Sequence, residues 1–311
     1  MKNKYFLYKS RFLSLFILIA VASILIRFLM KYDFDNSALL YIGIPFVISL
    51  LLILVRNPDE NISLRKRYLN RLIDAFIIML GSSIVLFEGF VCVVMAMPIY
   101  LFVMLVLFLV ERSQEDARKR GKGTLSMQIL PLLIVISSFE GVTPQFSFDR
   151  QEQVSVSRVV KASLSDIKHN LIQPIELQKP RPWFLHLFPM PHNVRAGTLS
   201  PGDVHEIPFR YYRWFVTNKH EGRMLLKIVE VEENRIKTAF IEDTSYISNY
   251  LHLQGTEILL DKVDEEHTRV TLRIDFERKL DPYWYFSPVE RFGVSKTAEF
   301  MITEVIARDA K

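Results

Sequence analysis

Five apolar runs on the scale of bilayer-crossing helices fill the first 140 residues and leave little polar chain there from which to build a water-soluble domain. The first covers 12–30, preceded by Lys2, Lys4, Lys9 and Arg11 and interrupted only by Arg27 near its far end. The second covers 38–55. The stretch from 72 to 110 is too long for one crossing, since about 20 residues suffice. Glu88 and Gly89 divide it into 72–87 and 90–110, a hairpin of two spans, and Pro98 is a kink that membrane helices tolerate. The fifth run, 125–139, is short and contains Gln128 and Pro131.

Charge orders these runs. Basic residues cluster before the first, after the second (Arg65, Lys66, Arg67, Arg71) and after the fourth (Arg112, Arg118, Lys119, Arg120, Lys122). With positive loops inside, the N-terminus is cytoplasmic and five crossings place everything after Glu140 on the outer side. If the fifth run is re-entrant instead, the second half stays inside. The expectation is an integral protein of the plasma (inner) membrane with an extracytoplasmic C-terminal domain. The net charge of +5 then marks topology rather than a nucleic-acid surface. Asp74 and Glu88 lie near the ends of their runs, close to the interfaces where acids cost little. They therefore do not outline a transport pathway.

The composition changes after 140. Residues 141–153 form a linker, and 154–311 have the mixed character of one soluble domain, long enough for its own core. Ser163 or Ser165 caps a short helix. A proline-rich, aromatic segment occupies 173–201, and strands are expected at 204–209, 212–217, 224–232, 235–243, 250–262 and 268–276. In the last, Val270, Leu272, Ile274 and Phe276 alternate with polar residues, as one buried face requires. An aromatic turn, Asp281 to Phe286, leads to a helix capped by Ser287. Val294, Ala298, Met301 and Val305 share one side of that helix.

This order of strand, short helix, irregular segment, antiparallel meander and long terminal helix resembles the helix-grip fold of the START/polyketide-cyclase superfamily (SRPBCC). The resemblance covers about 150–309 and is strongest at QGTEILLDKVDEEHTRVTLRIDF, where Thr268, Val270 and Thr271 match a strand pair that precedes the final helix in that superfamily. The DPYWYF turn is similar to that of membrane-tethered members, although a five-span N-terminal half is not typical. The implied fold class is an α-helical membrane domain plus an α+β helix-grip domain, a curved antiparallel sheet wrapped around the terminal helix. The resemblance also implies an apolar cavity, whose walls would include Val294, Ala298, Met301, Val305, Trp284 and Phe286.

Catalytic signatures are sparse. The seven histidines show no HxxxH or Cys-paired spacing, and the single Cys92 lies in an apolar run, so no metal or other cofactor is expected. Neither a phosphate-binding Gly loop nor a GxSxG elbow occurs. Asp203, His205 and Glu206 are acid–base candidates, but they also suit an ordinary polar strand start. The alternation of Arg210, Tyr211, Tyr212, Arg213 and Trp214 suits a solvated sheet face better than nucleic acid. The expected function is a membrane-anchored START-like domain that binds a hydrophobic small molecule or lipid without catalysis, with the lipid bilayer as a partner. A cyclase- or dehydratase-like enzyme remains an alternative and needs a pocket acid or histidine with a shifted pKa. A structural or regulatory envelope protein is a third, and needs a filled core with an exposed apolar patch.

Overall fold

A computed structural model describes residues 2–32, 34, 36–55, 63–86, 90–120, 129–174, 182–192, 194–195, 197–212 and 219–308. The chain divides into two compact units. The first contains Met1–Phe148 and also Leu280–Tyr283; the second contains most of the residues from Asp149 onward.

The first unit is helical: α1 (Lys2–Lys31), α2 (Ile44–Val55), α3 (Leu64–Leu86), α4 (Phe90–Arg120) and α5 (Ile129–Ser137). A π-helical turn at Leu39–Gly43 leads directly into α2. Leu18 and Ala22 of α1, Ile48 and Leu52 of α2, Ala75 and Ile78 of α3, and Tyr100 and Met104 of α4 form one buried cluster. Among the described residues, Ser14–Lys31 and Met95–Ala117 are long and apolar enough to cross a membrane. The Glu88–Gly89 break lies outside the described residues.

Two expected basic loops are corrected. Arg65 to Arg71 form the first turns of α3, and Arg112 to Arg120 continue α4, because no helix breaker interrupts either stretch. Arg71 meets Glu111 at 2.5 Å and Arg67 meets Glu115, while the rings of Tyr68 and Phe108 meet at a tilt, 4.6 Å between ring centres. The falling and rising numbers make α3 and α4 antiparallel. Part of the basic excess is thus neutralised between helices. Asp74 is 2% exposed, more deeply placed than its position near a run end implies.

Among the described residues, the second unit is a seven-stranded antiparallel sheet with two α-helices. Its strands are β1 (Gln151–Val160), β2 (Met190–Pro191), β3 (Val204–Tyr212), β4 (Lys219–Val231), β5 (Arg235–Asp243), β6 (Leu251–Lys262) and β7 (Thr268–Arg278), in the spatial order β1-β7-β6-β5-β4-β3-β2. Register shifts between β4 and β5 and between β6 and β7 are bulges of the kind that bend a sheet. The expected strands at 204–209 and 212–217 are not two strands up to Tyr212: one continuous β3 runs through the interval, and 213–218 lie outside the described residues. The helices are α6 (Leu164–Leu171) and α7 (Tyr283–Met301), the latter extended by a π-helical turn at Ile302–Ile306. Ser163 caps α6 with a complete capping box to Asp166.

Strict alternation governs β7: Thr268, Val270, Leu272, Ile274, Phe276 and Arg278 are buried, the residues between them less so. Their apolar members join Val154 and Val156 of β1, Ile258 and Leu260 of β6, and Val294, Ala298, Ile302 and Ile306 of the terminal helix in one core. This sheet and long terminal helix constitute the helix-grip arrangement. The start of α7 differs from expectation. The aromatic residues form its first turn, and Ser287 is internal, donating its hydroxyl to Glu152 at 2.6 Å instead of capping. Arg291 also donates to Glu152 at 2.8 Å, and Arg158 donates to Glu299 at 3.1 Å. Polar bonds therefore fasten the helix to β1 at both ends.

Candidate ligand-binding face

Strand register identifies the side chains that share the helix-covered face. Ile274 of β7, a core residue, opposes Thr256 of β6; Thr256 opposes Thr238 of β5, and Thr238 opposes Ile228 of β4. Opposed residues in antiparallel strands point to the same side, and so do residues two apart in one strand. Leu226 therefore shares the face of Ile228. Leu226 opposes Phe240 on β5 and His205 on β3, while Met224 opposes Ile207. Met224 and Ile228 are buried; Ile207, Leu226 and Phe240 are only half-buried.

Along β4 the buried Met224 and Ile228 flank Leu226 at the same distance across the sheet, so width bears only on how far the helix reaches from strand to strand. Six strand spacings of about 4.8 Å make the sheet roughly 29 Å across, whereas a helix with its side chains is about 10–12 Å wide. The terminal helix can cover only part of the face. The fully buried core comes mostly from β1, β6 and β7, with Ile236 as the buried contribution from β5. The apolar row Ile207, Leu226 and Phe240 lies outside that core.

On the helix, Val294 and Ala298 are core members, 7% and 0% exposed, and Met301 packs against the core while half-buried. Val305 is 5% exposed and Phe286 is fully buried. Trp284 is 49% exposed, its ring meeting Tyr285 edge-on at 5.9 Å. Thus five of the six residues expected from the sequence are buried or half-buried, and Trp284 stands apart. Sequence reading missed Ile207, Leu226 and Phe240. Their alternation was readable on each strand, but the shift between Leu225 and Leu226 hides which residues face each other across the hairpin.

The acid–base candidates diverge. Asp203 accepts from the Thr198 hydroxyl and from the Ser200 amide at 3.1 Å, closing a turn. His205 Nε2–H donates to the Thr198 carbonyl at 2.7 Å, and its ring fills the space where a side chain on Gly197 would sit. Glu206 accepts from Arg223 in an exposed ladder that also joins Arg223 to Glu242. Asp275 accepts from Gln153 at 2.7 Å on the outer face, where Arg273 meets Glu257 at 3.0 Å. Partial burial pushes the Glu257 carboxyl up, but hydrogen bonds from Arg273 and Arg235 outweigh it and hold the group below its ordinary range. Among the described residues, no three His, Cys, Asp or Glu side chains gather as a metal site would require.

No family model matches this sequence, and no curated protein matches it either. Solved structures do resemble it. Ara h 8.0201 aligns at 12% identity and TM-score 0.32, covering 48% of this chain and 95% of its own. A START superfamily protein from Mycobacterium smegmatis aligns at 13% identity and TM-score 0.30, covering 49% and 96%. Norcoclaurine synthase from Thalictrum flavum, solved with dopamine and hydroxybenzaldehyde, aligns at 15% identity and TM-score 0.32, covering 52% and 90%. At these values the likeness assigns no function.

Proposed function

We propose that this chain is a membrane-anchored binding protein whose helix-grip unit holds a hydrophobic molecule, a lipid in the first instance, between the terminal helix and the β3–β5 part of the sheet. The supporting observation is the half-buried apolar row of Ile207, Leu226 and Phe240, placed beside a sealed core on a sheet too wide for one helix. In this reading Val294, Ala298, Met301 and Val305 form the helix wall, Phe286 its inner end and Trp284 its rim. The anchor is the helical unit, residues 1–140, with its N-terminus cytoplasmic and the grip unit outside the inner membrane. Binding is favoured over catalysis because His205 is committed to a backbone carbonyl and Asp275 faces away from the helix-covered side.

Replacing Leu226 by Trp tests the wall. The side chain is half-buried, so the larger ring has room to seat without opening the core. The variant should melt like the parent and lose most of its affinity for a fluorescent fatty acid. Unchanged affinity in a folded variant would remove β4 from the site.

A further inference from the structure

The segment after α5 presents aromatic rings that the helical unit leaves uncovered. Phe139, Phe146, Phe148 and Tyr283 are 51%, 67%, 64% and 40% exposed in the whole chain, and the rings of Phe148 and Tyr283 lie 5.5 Å apart. They continue an apolar surface on α5, where Ile129, Leu132, Leu133 and Ile136 are also exposed. The backbone beneath them is pinned. Tyr283 N–H donates to the Glu140 carboxylate at 2.6 Å, the Glu140 carbonyl accepts from Ala38 at 2.9 Å, and Asp281 N–H donates to Asn36 at 2.9 Å. Gly141, at φ +80°, lies so close to Asp281 that a Cβ there would meet the carboxylate at 2.0 Å. Ser147 donates to the same carboxylate at 3.4 Å.

We infer that Phe146, Phe148 and Tyr283 form a fixed aromatic anchor that sits in the headgroup–glycerol layer of a phospholipid bilayer and sets the depth of this end of the helical unit. The inference rests on the membrane reading proposed above. Rings carried on a hydrogen-bonded backbone suit an interface, because the chain beneath them is already ordered and amphipathic Tyr prefers that layer. Continuity with the exposed face of α5 selects lipid as the occupant. The only charged residues from 139 to 149 are Glu140 and Asp149, so attraction to anionic headgroups is not the source of binding, and salt should have little effect.

The test is spin-label depth measurement on the full chain in phosphatidylcholine vesicles. Cys92 is the single cysteine, so a Cys92→Ser background accepts one label at a time. Labels go to Phe146→Cys and Phe148→Cys, with Phe102→Cys on α4, 50% exposed, and Glu265→Cys in the exposed β6–β7 turn as references. The expected result is an oxygen-to-nickel collision ratio at 146 and 148 several-fold above that at 265 and below that at 102, unchanged by salt. If 102 reports lipid while 146 and 148 match 265, the anchor is overturned and the membrane reading stands. If 102 also matches 265, the membrane reading fails and the anchor with it.

Discussion

Gly222 of β4 shows how a single residue sets the shape of the sheet end. A Cβ built there would lie 2.1 Å from the Thr244 carbonyl oxygen, a backbone atom that cannot swing aside. The crossing it permits is held by paired bonds: Thr244 N–H donates to the Arg223 carbonyl at 2.8 Å, and Arg223 N–H donates to the Thr244 hydroxyl at 3.0 Å. Gly222→Ala should therefore destabilise the grip unit by about 1–3 kcal/mol, the usual cost of overpacking. A denaturant melt of the full chain, followed by a near-ultraviolet signal, checks this. An unshifted midpoint would show that the two backbones do not approach so closely. The neighbouring Tyr246 and Tyr250, whose hydroxyls bond at 3.1 Å while buried, would report the change.

Among the elements, α7 carries the most weight. It supplies core residues, is fastened to β1 through Glu152 and Glu299, and is proposed to wall the ligand space. Ala298→Trp separates two roles for its buried stripe. If position 298 borders space meant for ligand, the variant should lose fatty-acid binding while its melting temperature falls by no more than a few degrees. Outright unfolding would put Ala298 in solid packing and exclude it from the wall. Element by element, β7 was the most legible part of the chain, because burial on one face imposes a period of two that nothing interrupts. The start of α7 was less so: proline and serine at 287–288 imitate a helix entrance, yet Ser287 is more useful as a donor to Glu152 inside the helix. The Ile207–Leu226–Phe240 row was not legible, since a face assembled from three strands depends on bulges that single-strand patterns do not reveal. Similarly, Arg67 and Arg71 counted as loop charges because their partners, Glu111 and Glu115, lie on another helix.

For the whole molecule, the proposal joins an apolar helical unit to a grip unit on the outer side of the membrane. Reporter fusions after Arg118 and after Lys311 address the sidedness. The expected pattern is a cytoplasmic signal at the first and an outer signal at the second; cytoplasmic signals from both would place the grip unit inside and change which lipids it can meet. The binding claim has a more direct test, photocrosslinking of the full chain in vesicles with a diazirine fatty acid, followed by peptide mapping. If the grip unit holds an apolar molecule, crosslinks should appear on peptides bearing Ile207, Leu226 or Phe240 and on those of α7, and excess unlabelled fatty acid should compete them away. Crosslinks confined to α1–α5, and not competed, would mean that the helices merely contact lipid and that the grip unit binds none.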